Sequence, residues 1–410
     1  MTPLGFHPQS WIILRMTSPL TSLDDARWVS FARHWNLRPG TTYLNHGSFG
    51  PPPDLVRAER LRWIAELDAQ PMDFFVRQFE PAWMAARNAL AKFVGTNPEN
   101  LIFVENATVG MNVVADSFPL HAGDEVLLTD HEYGAVVRIW QRACERQGAR
   151  VATAQIPLPV ASVEEMVDAI FATVNDRTRM IVVSHITSPT AIILPVKEIC
   201  DRARHRGIAV CIDGPHAPAQ IPVDIAALGC DFYAASCHKW LCAPFGSGFL
   251  FVAPQHQSLV RPPTLSWGRI PPTKLESWSD EFCWSGSRDS SPYLSIPAAI
   301  TFMQSVGLEF FQSGAHSLAR YARQRLVELT GLEPIIPDTP KWYGSMAHVP
   351  LPPGEQAPLQ NALWQQHGIE VPIVEFLGHR YIRVSCHLYN TTGQIDRLIT
   401  ALKSLLQAGL

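Results

Sequence analysis

Two residues define the chemistry to look for. Asp213 closes the apolar run IAVCID (208–213), and Lys239 stands 26 residues further on in SCHKW, just after DFYAAS (231–236). A buried carboxylate is costly unless a cation or several donors meet it. A lysine in a partly apolar pocket can lose its proton and become an amine nucleophile. At the ends of neighbouring strands the two are what pyridoxal phosphate requires. The amine forms a Schiff base, and the carboxylate holds the pyridine nitrogen protonated so that the ring can accept electrons. Spacing alone is equally compatible with an ion pair between adjacent strand ends.

The elements that must position these residues follow a regular rhythm. Short apolar runs at 101–106, 125–130, 151–156, 180–186, 208–213, 231–236 and 248–252 are interleaved with helical segments at 107–118, 135–148, 162–175 and 196–206. Continuous apolar runs alternating with helices predict an α/β fold, its mostly parallel sheet covered on both faces. Ligands bind at the carboxyl ends of such strands, where Asn106, Asp130, Asp213 and Ser236 fall. Helical spacing also marks 54–68 and 81–94 ahead of the sheet. A Pro- and Trp-rich stretch, 261–292, precedes one or two helices over 298–331. Beyond lie a helix at 355–367, two strands (IEVPIVEF and YIRVSCHL) and a last helix at 392–407. The expected organisation is a possible upstream extension (1–15, with Met16 as a plausible start), an arm and loop (16–60), a large α/β domain (61–295) and a small C-terminal α+β domain (296–410).

Composition narrows the function classes. The 410 residues are 47% hydrophobic and 17% charged, which excludes wholesale disorder. The net charge is 33 − 37 = −4 with no basic run, a poor match to nucleic acid. No apolar stretch reaches membrane-spanning length, and the opening residues lack the pattern of a secretory signal. Eight scattered cysteines without a CxxC pair point to a reducing, cytoplasmic setting.

The pattern D-G-x-H-x-x-x-Q (213–220) followed by S-x-H-K-W (236–240) resembles the class V aminotransferase family of fold-type I pyridoxal phosphate enzymes. The resemblance extends over residues 40–408. YLNHGSFGPPP (43–53) is most similar to the isopenicillin N epimerase branch and its relatives, which include hercynylcysteine sulfoxide lyases. IRVSCHLYNT (382–391) also matches. The implied fold is a mostly parallel central sheet with helices on both faces plus a smaller C-terminal α+β domain, and the implied cofactor is pyridoxal 5'-phosphate.

The resemblance also assigns contacts. Ala107 and Thr108 open a helix whose free amides suit a phosphate, and Ser236 and His238 donate to the same group. His131 or Tyr133 stacks on the cofactor ring, with Tyr133 preferred as part of the pocket. His216 lies near the phenolic oxygen, and Ser188 reaches the same oxygen, where many relatives carry Asn. WSGSRD (284–289) is similar to a loop whose hydroxyl residue, here Ser287, contacts the phosphate of a neighbouring subunit. That implies a homodimer. Arg383 grips a substrate α-carboxylate. Asn45 and His46 face the substrate on a loop that Gly47 and Gly50 let pass closely.

The implied substrate is an amino acid and the first-placed reaction Cα epimerisation, with Lys239, Asp213 and Tyr133 as catalytic groups. His46 is a second candidate for the acid on the opposite face. A C–S lyase, an aminotransferase and a non-catalytic binding protein on the same fold are the alternatives. Cysteine desulfurases of the family carry a nucleophilic Cys before the Arg, whereas no Cys occurs from 369 to 382, and Cys386 lies beyond Arg383. Persulfide chemistry is therefore not expected. Lys239→Ala should abolish any borohydride-reducible cofactor adduct, and labelling of a different lysine would remove the assignment.

Overall fold

The computed structural model describes residues 26–410, so the upstream extension and the alternative start at Met16 lie outside the described residues. Twelve strands are present among them: β1 (Thr42–Tyr43), β2 (Leu101–Val104), β3 (Glu125–Thr129), β4 (Arg150–Ala154), β5 (Thr178–Ser184), β6 (Ala209–Asp213), β7 (Phe232–Ser236), β8 (Gly248–Val252), β9 (Met346–Pro350), β10 (Ile369–Glu370), β11 (Ile373–Phe376) and β12 (His379–Ser385). Seven form the central sheet in the order β2-β8-β7-β6-β5-β3-β4. Only β8 runs against its neighbours; the pairs from β7 to β4 are all parallel.

The pleat explains why the strands read as unbroken apolar runs. Val126, Leu128, Met180, Val182, Cys211 and Ala234 join a core with Val114, Ile139 and Trp140 of the helices Ala107–Ser117 and Gly134–Gln147. The intervening Leu127, Ile181, Val183, Val210, Ile212, Tyr233 and Ala235 join a second core with Ile170 and Ile199 of the helices Val163–Ala172 and Val196–Arg204. Successive side chains thus enter opposite apolar layers, and a strand buried on both faces has no polar alternation to show.

The C-terminal part carries a three-stranded antiparallel sheet, β11-β12-β9, against the helix Leu308–Thr330. The same apolar cluster that fills the second layer continues through Phe311, Val349, Ile382 and Leu402. The region 298–331 forms two helical stretches, Ser291–Val306 and Leu308–Thr330, meeting at 76°. Gly307 between them has φ +88°, which favours glycine and breaks the run.

The run IEVPIVEF is not one strand. Pro372 has no N–H for a ladder, so the segment divides into β10 and β11. β10 pairs in parallel with β1, tying the arm before the large sheet to the C-terminal part. Neither the two-residue β1 nor β9 is announced by periodicity. Among the described residues no single helix is long and apolar enough to cross a membrane.

A close contact seats the helix that opens at the sheet's carboxyl edge. A Cβ placed on Gly110 would lie 2.9 Å from the Ala234 Cβ on β7. Gly110→Ala should therefore lose about 1–3 kcal/mol to overpacking, exceeding the ~1 kcal/mol gained in helix propensity. Urea unfolding should show this loss, and Ala234→Gly in the same chain should recover most of it.

Candidate active site

β6 ends at Asp213 and β7 at Ser236, with Asp213 in register with Ala234, so the Asp213 carboxylate and the turn after β7 share one edge. Lys239 lies in that turn. Its Nζ is 3.0 Å from His216 Nε2, and the Trp240 indole N–H donates to His216 Nδ1 at 3.3 Å. Burial, with Arg383 nearby, lowers the Lys239 pKa to about 7, although Asp213 pulls the other way. Burial also raises Asp213 to about 7, aided by the Glu132 carboxylate and opposed by Lys239. Among the described residues no group donates a hydrogen bond to the Asp213 carboxylate. Such a buried acceptor is suited to a cationic N–H supplied by a ligand.

Of the residues expected at the phosphate, Ala107, Thr108 and Ser236 meet at a helix start. Asn106 caps the helix Ala107–Ser117 by accepting from the Val109 N–H at 3.0 Å. The Ala107 N–H donates to Ser236 Oγ at 3.0 Å, which leaves the Ser236 hydroxyl proton and the Thr108 N–H for an anion. His238 packs on Phe245, and its buried Nδ1 has no partner. Ser287 is exposed next to Gly286, whose φ is +118°. Arg288 folds back on its own chain to Glu105 at 2.7 Å.

Across the edge, Arg383 sits in β12 and is nearly fully buried. Its guanidinium donates to the Ser188 carbonyl, to Ser188 Oγ (3.4 Å) and to Ser48 Oγ (2.9 Å), while its Nε is unpartnered. Ser188 thus stands against Arg383. The loop NHGSFG passes as closely as its glycines predict: a Cβ on Gly50 would lie 2.6 Å from the Lys239 carbonyl oxygen. Asn45 donates to Glu370 at 3.0 Å, and its buried Oδ1 is unpartnered.

His46 is a correction to the sequence reading. It is 0% exposed, and both ring nitrogens are engaged, Nδ1 with the Tyr389 hydroxyl at 2.7 Å and Nε2 with the Lys239 carbonyl at 3.1 Å. Burial drives its pKa down to about 3, so it is a neutral strut under the lysine turn and does not face a substrate. His46, Cys242 and His387 bring three possible metal ligands together. The two imidazoles, however, stack at 4.0 Å and 15°, and no ion can lie in both ring planes at ligand distance.

His131 is fully buried between Thr190 (2.8 Å from Nδ1) and Phe376, whose ring is 4.5 Å away. Tyr133 is 48% exposed at the start of the helix Gly134–Gln147. Sequence reading missed Ser48, which lies within the glycine-flanked loop. It also missed Glu132, a buried carboxylate held by Thr129 and Ser184 at 2.6 Å each, and raised to about 7 mainly by burial. The T-x-x-E spacing was the available signal. Cys386 follows the end of β12 and is fully buried, with its thiol pushed up to about 12. Burial thus disfavours its thiolate, the nucleophilic form.

The aminotransferase class-V family model matches residues 71–398. Isopenicillin N epimerase of Amycolatopsis lactamdurans is 39% identical, the match covering 92% of this chain and 98% of that protein. The epimerase of Streptomyces clavuligerus is 35% identical, covering 93% and 98%. A putative L-cysteine desulfhydrase of Oryza sativa subsp. japonica is 29% identical, covering 90% and 84%. Among solved structures, the cystine C–S lyase C-DES in complex with cysteine persulfide superposes with TM-score 0.79 at 22% identity, covering 89% of this chain and 98% of that one. A cysteine desulfurase from Thermococcus onnurineus NA1 gives 0.80 at 18%, covering 96% and 100%. These structural likenesses establish the fold-type I architecture.

The residues present fit pyridoxal 5'-phosphate: an amine of lowered basicity, a buried carboxylate without a donor, and unused donors at a helix N-terminus. Because an ordinary lysine titrates near 10.5 and Lys239 near 7, its nucleophilic form is gained as pH rises through about 7. The rate at which the cofactor-stripped protein captures pyridoxal phosphate should rise with a midpoint near pH 7. A midpoint above 9 would contradict the environment described.

Proposed function

This chain belongs to the class-V aminotransferase family of pyridoxal 5'-phosphate-dependent enzymes, and from that premise we propose that it epimerises the Cα of an amino acid. The observation that carries the reading is that Lys239 lies within electrostatic reach of both Asp213 and Arg383, while the Cys386 thiol just after β12 is fully buried and pushed up to about 12. The two epimerases at 39% and 35% identity support this choice among family reactions.

When bound, pyridoxal 5'-phosphate draws off the electron pair left at Cα by proton removal. Asp213 holds the ring nitrogen's proton, and Thr108, Ser236 and His238 take the phosphate, with the Ala107 amide orienting Ser236. His216, 3.0 Å from Lys239 Nζ, would meet the phenolic oxygen. Arg383 binds the α-carboxylate, with Ser188 and Ser48 orienting the guanidinium. Asn45 lies on the same loop, and its buried, unpartnered Oδ1 is the atom that would turn to substrate. The uncharged Lys239 amine, whose share grows as pH rises through about 7, takes the α-proton from its side. Return of a proton from the opposite face needs a second acid, and this role falls to the Tyr133 hydroxyl, whose half-exposed ring, rather than that of buried His131, would stack on the cofactor. Ser287, exposed and without a partner among the described residues, reaches the phosphate of a second copy in a homodimer.

A C–S lyase is the second reading, favoured by the desulfhydrase relative. The two separate in D2O. Epimerisation places deuterium at Cα and yields both configurations without keto acid, whereas pyruvate from cysteine or cystine would establish the lyase and amino transfer the aminotransferase. Charge-assisted bonds to a carboxylate contribute ~1.5–3 kcal/mol, so Arg383→Ala should raise KM at least about tenfold with the cofactor spectrum unchanged. Light scattering should show a dimer, and a fully active monomer would remove the role given to Ser287.

A further inference from the structure

We propose that Trp240 is a positioning residue: its indole locks His216 in the tautomer protonated on Nε2, so that His216 donates to the Lys239 amine and holds that amine uncharged. The inference rests on Lys239 being the cofactor-bearing amine. Its geometry comes from three side chains in series, Trp240 Nε1 to His216 Nδ1 at 3.3 Å and His216 Nε2 to Lys239 Nζ at 3.0 Å.

The direction of the chain follows from donor inventory. An indole N–H can only donate, so His216 Nδ1 must accept. A neutral imidazole that accepts at Nδ1 carries its hydrogen on Nε2. That hydrogen faces Lys239, and an ammonium, with three donors and no acceptor, would meet it donor to donor. The uncharged amine offers a lone pair instead. A doubly protonated His216 would set a second donor against the indole N–H. It would also add a cation to a buried cluster bounded by Lys239 and His238 in the turn after β7, His46 in the NHGSFG loop and Arg383 in β12.

Asp213 is the carboxylate that bears on Lys239, and it works against the lock by favouring the ammonium. The His216 backbone is itself fixed, its carbonyl accepting from Gln220 Nε2 at 2.6 Å. Trp240 is fully buried, and its indole N–H is directed at His216. Its part is to decide which end of a symmetric-looking ring presents a proton.

The test reads the tautomer directly. Full-length protein carrying 15N-histidine is examined by two-bond N–H correlation at pH 7, with cofactor and after its removal, and His216 is assigned by its absence in His216→Gln. The expected pattern is Nε2–H. An Nδ1–H ring or an imidazolium in the unmodified protein would overturn the proposal, and this readout needs no variant of Trp240 to fold. In Trp240→Phe the Nδ1 site is freed, so the Nδ1–H form should appear and Nε2 should accept from a charged Lys239. The midpoint pH for pyridoxal phosphate capture by the stripped protein should then move upward by about one unit, a tenfold slower capture below it. An unmoved midpoint in a folded Trp240→Phe would equally overturn it. Borohydride labelling of a lysine other than Lys239 would instead defeat the cofactor assignment, and the His216 tautomer would still be legible.

Discussion

One buried site must hold an amine in its uncharged form and, within its electrostatic reach, a carboxylate in its charged form. In water each would adopt the wrong or unremarkable state: lysine charged at neutral pH, aspartate charged but screened. Desolvation solves the first half, lowering Lys239 to about 7, and creates the second problem by raising Asp213 to the same value. On the proposed reading, a cationic ring nitrogen would restore the Asp213 charge by giving it the partner that no described protein group provides. The buried Glu132 beside it sharpens the need, since two carboxylates in one dry site disfavour each other's ionisation. The site is therefore unbalanced without its cofactor and balanced with it.

The rest of the fold keeps that arrangement dry and in register. Parallel pairing of β6 and β7 sets the Asp213 strand end against the lysine turn. The helix Ala107–Ser117 supplies amide donors at the same edge because Gly110 lets it settle on Ala234. The C-terminal part closes the other side. β12 carries Arg383, β10 pairs with β1, and the loop between β1 and the helix Asp54–Ala69 runs from the Arg383 guanidinium at Ser48 to the Lys239 carbonyl at Gly50. One apolar cluster runs from the sheet into this part, so a continuous core underlies both Arg383 and Lys239.

Much of this was legible in the sequence because both-face burial leaves continuous apolar runs and strand ends are where chemistry collects. The seven sheet strands and the last helix, Thr392–Gln407, fall within a few residues of the reading. β1 and β9 were not visible: two residues carry no period, and MAHVP holds only one alternation. The division of IEVPIVEF turned on the missing N–H of Pro372. At the site, Asp213, Lys239 and Arg383 were singled out from residue type and strand position, and burial shifts the pKa of all three in the structure. His46 was misread because a glycine-rich loop exposes its backbone to close approach without saying which side chains turn inward. Ser48, next but one along the chain, is the residue that turns to Arg383. Hydrogen-bond chains such as Trp240–His216–Lys239 leave no sequence trace beyond the presence of their members.

The central claim is that Asp213 holds a ring nitrogen proton in a site that desolvation would otherwise neutralise. It is tested most directly by reconstituting the protein with pyridoxal phosphate labelled with 15N in the ring and reading that nitrogen by NMR at pH 7. The account predicts a protonated pyridine nitrogen in the unmodified protein and a shift to the unprotonated value in Asp213→Asn. An unprotonated nitrogen in the unmodified protein, or the same protonated signal in Asp213→Asn, would contradict it.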